Sequence, residues 1–217
     1  GEREDGERKR ESDLFFDSID AHPQKKLQPQ TPFLSFIQLA LLSRLSDEVL
    51  SRRAEHKTDP ESLKLCAALL EHNPEVYTAW NWRREVIGPA LSDEASTSTS
   101  TSSSDAEGGN AEELKLKLAR EELDLTERAL RRNPKCYSAW HHRRWILLGR
   151  PFLKHLLKPE LALVDKLLDA DSRNFHAWAH RRAVAAEARV SPKEAEEAAL
   201  RRVEDNFSNY SAWHERS

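Results

Sequence analysis

The sequence predicts an all-α fold, a solenoid of helix-turn-helix repeats, on three observations. An aromatic-x-x-Trp-x-x-Arg segment occurs four times: NPEVYTAWNWRR from Asn73, NPKCYSAWHHRR from Asn133, DSRNFHAWAHRR from Asp171 and NFSNYSAWHERS from Asn206. Its tryptophans, Trp80, Trp140, Trp178 and Trp213, are 60, 38 and 35 residues apart, and the first interval holds a low-complexity insertion. With that insertion removed, the period is that of stacked helix pairs, each of which needs a neighbour to bury its apolar face. Third, the stretches before the motifs step by three and four residues between apolar positions, as helices do, and no alternating β-type run competes.

Taken in order, residues 1–32 are charged and then Pro/Gln-rich, with little to bury, and are expected to be a disordered leader. Residues 33–56 form an N-terminal helical segment. A repeat domain is expected over 57–217, with repeats near 59–90, 111–150, 157–189 and 191–217. In the first, Asp59-Pro60 supplies an N-cap and a first-turn proline, followed by Leu63, Cys66, Ala67 and Leu70 on one face. Residues 92–110, SDEASTSTSTSSSDAEGGN from Ser92 onward, are rich in Ser, Thr, Gly and charge with nothing sizeable to bury, and predict a solvated insertion. In the second repeat Leu116, Ala119, Leu123, Thr126 and Leu130 share a face, and in the fourth Ser191-Pro192-Lys193-Glu194 is a capping box. Each motif opens the second helix of its pair. Tyr77, Trp80, Arg84 and Ile87 are placed on one face of that helix, and Tyr137, Trp140, Arg144 and Leu147 repeat the spacing.

Composition narrows the function. Lys and Arg number 34 against 37 Asp and Glu, a balance that disfavours a dedicated nucleic-acid binder. The most apolar window, Phe33 to Leu42, is about half the ~20 residues a membrane helix needs, so no transmembrane segment is expected. Two cysteines, Cys66 and Cys136, make no disulfide framework and no zinc spacing, which points to a reducing, cytoplasmic compartment. The chain opens on Gly1 and stops one residue after Arg216, and reads as a fragment of a longer array.

The four motif tryptophans are structural: an indole buries a large apolar area and its N–H can find a carbonyl. Trp82 and Trp145 are extras. Arg83, Arg143, Arg181 and Arg216 follow one turn later and are expected to bond between neighbouring repeats. The arginine pairs 83/84, 143/144 and 181/182 are also basic enough to help hold an anionic ligand on one surface. Enzymatic signatures are thin: there is no Gly-rich phosphate loop, GxSxG or HExxH. His141 and His142 point about 100° apart on a helix and suit structural roles better than a shared metal, and His72, His176, His180 and His214 form no ligand spacing with cysteine.

The four motif copies resemble the repeat of protein prenyltransferase α subunits, over about residues 57–217. The Asn133–Arg144 segment is similar almost throughout, and the segments around Phe175 and Tyr210 look most like the Rab-type, type II geranylgeranyl branch. The resemblance implies a right-handed α–α superhelix, TPR-like, acting as the α subunit of a heterodimeric transferase. Its reaction would join geranylgeranyl, from geranylgeranyl diphosphate, to C-terminal cysteines of a Rab GTPase. The expected partners are a β subunit, a Rab escort protein and the Rab substrate. No cofactor is expected on this chain; zinc and the main isoprenoid pocket belong to the partner β subunit. By resemblance Lys135 is the catalytic residue that meets the diphosphate, with Tyr137 and Asn174 as substrate-binding neighbours. Phe175 lacks the hydroxyl that the farnesyl-type branch carries there. The alternatives are the α subunit shared by the farnesyl and type I enzymes and a non-catalytic helical scaffold.

Overall fold

A computed structural model describes residues 36–92 and 105–216. The expected leader 1–32 and most of the Ser/Thr-rich insertion lie outside the described residues. Nine α-helices and one 3-10 helix are present among them, and no strand. They are α1 Phe36–Ala54, α2 Pro60–His72, α3 Tyr77–Leu91, α4 Asp105–Arg132, α5 Tyr137–Leu147, η1 Pro151–Leu156, α6 Leu157–Ala170, α7 Phe175–Glu187, α8 Pro192–Asp205 and α9 Tyr210–Arg216. The chain divides into Gly1–Leu39 and Ala40–Ser217. Of the first unit only the opening turn of α1 is described. The second contains four helix pairs, α2/α3, α4/α5, α6/α7 and α8/α9. Within it the first helix α2 packs on the first helix α4, and the second helices pack together, α3 on α5 and α5 on α7. This two-layered stacking of helix pairs is the α–α superhelix the repeats predicted. None of the described helices is long and apolar enough to cross a membrane.

Local signals start and stop the helices where expected. The Ser62 amide donates to the Asp59 carboxylate at 3.0 Å ahead of α2, and the Ser191–Glu194 capping box closes in both directions ahead of α8. One expectation fails. Residues 105–110, assigned to the solvated insertion, are the first turns of the 28-residue α4. Gly108 and Gly109 each disfavour helix by about 1 kcal/mol. Once nucleated, however, a helix gains one hydrogen bond for each residue it adds, and composition alone hides that propagation.

The link between the two helices of a pair is the same in all four repeats. The residue that ends the first helix, Asn73, Asn133, Asp171 or Asn206, accepts through its side-chain oxygen the amide proton two residues on, at 3.1–3.2 Å. The Trp indole N–H then reaches back six residues to a carbonyl of that turn. Trp80 donates to Pro74 O, Trp140 to Pro134 O, Trp178 to Ser172 O and Trp213 to Phe207 O, at 2.8–3.0 Å. Trp80, Trp140 and Trp178 are buried in the core shared by the pairs, and Trp213 is partly buried against it.

Neighbouring repeats are joined by two buried carboxylates. Glu122 of α4 accepts from Arg83 of the preceding repeat, with Nε at 3.0 Å, and from His142 of its own repeat at 2.9 Å. Glu160 of α6 does the same with Arg143, at 2.7 Å through both Nε and Nη2, and with His180 at 2.7 Å. The remaining guanidinium protons go to helix carbonyls, Arg83 to Leu63 O and Arg143 to Leu123 O. Arg83 and Arg143 therefore bridge repeats as expected. Arg181 and Arg216 do not: they pair within their own repeats, with Asp165 at 2.7 Å and Glu196 at 3.6 Å. The cause lies in the sequence. Glu122 and Glu160 each stand 18 residues before the motif Trp, whereas Ala195 holds that place in the fourth repeat. In the first repeat the corresponding positions are Ser62 and Trp82, so Trp82, set aside as an extra, fills the place of His142 and His180.

Three outcomes follow. Trp140→Ala should lower the unfolding free energy by about 3–5 kcal/mol, read from urea denaturation, since it opens a cavity and removes one of the two hydrogen bonds to Pro134 O. Burial opposes ionisation of Glu122, yet hydrogen bonds from His142 and Arg83 and the Arg83 charge outweigh it and hold its pKa at about 2, below the ordinary 4.5. A depressed carboxylate contributes stability that is complete above its unfolded pKa and is lost as the pH falls through the folded one. The melting temperature should therefore hold above about pH 4.5 and fall toward pH 2. Glu122→Gln should make that fall shallower while costing about 3–5 kcal/mol at pH 7, since it leaves Arg83 buried without its counter-charge.

Candidate functional site

The aromatic residue three positions before each motif Trp opens the second helix of its pair. A step of three residues turns the helix by about 300°, which leaves the two side chains roughly 60° apart. In the first turn that angle decides burial. Trp80 is 0% exposed and Trp140 3%, while Tyr77 is 58% and Tyr137 63% exposed, so the expected single face carrying Tyr77 with Trp80 and Tyr137 with Trp140 is split. Phe175 and Tyr210 are exposed as well. The repeats thus present one solvent-facing ring each, at one register position.

The second and third repeats bring chemistry to these rings. Lys135 is held at the α4–α5 turn by its own amide, which donates to Asn133 Oδ1 at 3.1 Å, and its exposed ammonium lies 3.7 Å from Asp171 Oδ2. Two residues on, the Tyr137 ring stacks near His141, with centroids 6.0 Å apart, and lies 6.0 Å from His176, tilted. His176 in turn packs against Phe175 at 3.9 Å. Burial lowers the pKa of both imidazoles. Arg84 and Arg144 add to the effect at His141; at His176 Glu75 opposes it and Lys135 reinforces it. The cluster therefore offers an ammonium with the Asp171 carboxylate beside it, a phenol and two imidazoles that, with their pKa lowered, are each able to donate one proton and accept another. Such a set can bind an anionic group and orient it over an aromatic shelf. No group of three or more His, Cys, Asp or Glu that could hold a metal ion occurs among the described residues.

Of the residues singled out in the sequence, Lys135 and Tyr137 are brought to one surface. Asn174 is not. Its side chain is 3% exposed, and both ends are engaged within the chain. Oδ1 caps α7 by accepting from the His176 and Ala177 amides, at 3.1 and 3.2 Å, and Nδ2 donates to Pro134 O at 3.0 Å. That carbonyl already accepts the Trp140 indole, so Asn174 ties the third repeat to the turn that carries Lys135. Cys136 makes the equivalent contact one repeat earlier, its thiol 3.1 Å from Pro74 O. His141, read from sequence as structural, and His176, read there only as forming no ligand spacing with cysteine, prove to be the neighbours of Tyr137. The signal for them was positional: His141 stands four residues after Tyr137, and His176 directly follows the exposed Phe175. Asn174→Ala should cost about 1–2 kcal/mol in thermal or urea unfolding through the lost cap and tie.

Comparison with known proteins agrees with the repeat reading. The family described as Protein prenyltransferase alpha subunit repeat matches residues 59–88, 119–149 and 157–187. The chain is 38% identical over 182 residues to a Rattus norvegicus protein named Geranylgeranyl transferase type-2 subunit alpha, covering 83% of this chain and 29% of the relative. It is 39% identical over 182 residues to the Homo sapiens protein of that name, with the same coverage. To the Arabidopsis thaliana Geranylgeranyl transferase type-2 subunit alpha 1 it is 34% identical over 125 residues, 58% of this chain and 16% of the relative. The chain thus spans less than a third of the length of these relatives.

Proposed function

From the premise that the chain belongs to the protein prenyltransferase alpha subunit repeat family, we propose that it acts as the α subunit of a type-2 geranylgeranyl transferase. In this reading it works with a β subunit that supplies the zinc and the isoprenoid pocket. The pair transfers geranylgeranyl from its diphosphate to C-terminal cysteine thiols of a Rab GTPase presented by an escort protein. A carbon–sulfur bond forms as the allylic carbon–oxygen bond breaks and diphosphate departs. The thiolate is the nucleophile, and charge gathers on the departing diphosphate, where a positioned cation lowers the barrier.

Lys135 is the residue proposed for that role, as the catalytic contact of this chain. The observation that carries it is the exposed Lys135 ammonium, 3.7 Å from Asp171 and near enough to His176 to lower its pKa, two residues before the solvent-facing ring of Tyr137 at a turn fixed by Asn133 and Trp140. Tyr137, His141 and His176 form the shelf next to it. Asn174 acts on this site through Pro134 O as a positioning residue. Phe175 contributes a ring face only.

The test is co-expression with a type-2 β subunit and an assay of prenyl transfer to a Rab protein. Lys135→Ala should slow transfer by about ten- to a hundredfold, as loss of a charge-stabilising contact does, with heterodimer yield unchanged. Wild-type turnover from that variant would remove the assignment, and failure of the parent chain to co-purify with any β subunit would remove the subunit reading.

A further inference from the structure

The structure separates the two arginines of each pair. Arg83 and Arg143 enter the core to meet carboxylates, while Arg84 and Arg144 are left half-buried on the second-helix layer. Arg84 Nη1 lies 3.2 Å from His141 Nδ1, and its Nη2 bonds Asn81. Arg144 Nε is buried and has no hydrogen-bond partner. Beside them opens a cavity of about 480 Å³ whose walls include Ser92, His141, Arg144, Trp145, Leu148 and Arg150. Arg150 is partly committed: its Nη1 donates to the carbonyls of Trp145 and Ile146, and its guanidinium stacks 4.7 Å over the Trp145 ring. None of the lining residues is acidic. A nearby carboxylate, Glu187, accepts from the Gly149 amide at 3.4 Å. Gly149 itself, at φ 74°, makes the left-handed turn that ends α5 and shapes the rim.

We infer that this cavity is a binding site for a phosphate monoester dianion, held by Arg144 and His141, with Arg84 behind His141 and the organic portion lying on Trp145. Arg144 and Arg150 line the cavity, Arg84 adds its charge from behind His141, and no lining residue is a carboxylate. That surplus calls for two negative charges, which a phosphate monoester carries near neutral pH and a carboxylate does not. The planar fork of an arginine matches phosphate oxygens in pairs, and the unpartnered Nε of Arg144 is the donor such a contact would satisfy. The field at His141 is cationic. Burial, Arg84 and Arg144 all push its pKa down, Tyr137 is its stacked neighbour, and no carboxylate opposes them. Lys135 is not among the residues lining the cavity, while His141 is common to it and to the shelf beside Tyr137. The phosphoryl group could come from a free small-molecule monoester, with inorganic phosphate as its minimal probe, or from a phosphorylated serine or threonine of a protein segment; the run Ser96–Ser104, which follows Ser92 in sequence, offers nine such hydroxyls.

The His141 ring resonances of the full chain report directly on this site. Titration with inorganic phosphate, at constant pH and ionic strength against chloride, should shift them saturably and raise the His141 pKa by about one unit, as a nearby anion does. Arg144→Gln should weaken that response at least about tenfold. Arg84→Gln, with folding checked by circular dichroism, provides a second reading in case the first variant is destabilised. A saturating response to inorganic phosphate identifies a free-anion site. The same His141 shift without added phosphate, in chain phosphorylated within Ser96–Ser104 and independent of protein concentration, identifies an attached phosphoryl group. A response equal to that of chloride in the first experiment and no shift in the second, or glutamine variants that titrate like the parent, would overturn the inference.

Discussion

The indole hydrogen bond from each motif Trp to a carbonyl six residues earlier is the interaction on which the remaining geometry depends. It joins the middle of one helix's first turns to the loop that precedes it, so the loop cannot reorient without exposing a buried ring. The Asx contact fixes the start of that loop and the indole fixes its end. Everything presented on the second-helix layer, including the solvent-facing rings and Lys135, inherits its position from this closure. A hydroxyl or amide in place of the indole could make the bond but could not supply the buried area that anchors it.

Between repeats a second constraint takes over. A carboxylate in the core is costly unless its charge and all its lone pairs are met. Glu122 and Glu160 meet that condition only when the arginine of one repeat and the histidine of the next arrive together. The arrangement reads register as well as contact: a repeat displaced by one residue along its neighbour would leave a buried charge unmatched. Asn174 and Cys136 add a lighter version of the same logic, by sharing the carbonyl that the preceding indole already uses.

Much of this was legible in the residues. Tryptophan and arginine at a fixed offset in four copies gave the helix pairs, the turns and the core, because a large ring repeated at one position has few uses other than packing. The solvent-facing rings were misplaced because helical spacing resolves a face only to within about 60°, and the first turn of a helix is where such an angle separates core from solvent. Glu122 and Glu160 were invisible as single residues in a chain that is 33% charged, where a glutamate on a helix is ordinarily solvated. Counting back 18 residues from each Trp would have exposed them. Asn174 was given to the site by resemblance, and only the hydrogen bonds show that its side chain is spent on the cap and the tie. The start of α4 was hidden by its glycines.

The loss of the carboxylate at Ala195 has a consequence for how the array behaves as a whole. Contacts between the third repeat and the last include Arg202, which reaches Asp165 and Asp169, and Arg182, which reaches Glu215. Arg202 and Glu215 are themselves mostly buried, but their partners Asp169 and Arg182 are largely exposed, so these attractions are more open to screening by dissolved ions than the bridges at Glu122 and Glu160, where both partners are buried. Along one continuous chain, then, cohesion changes character from sheltered to screenable. Raised ionic strength would weaken the grip of the fourth repeat on the third more than that of the third on the second, so the joins along this stretch of the solenoid differ in how far they follow the salt content of their surroundings.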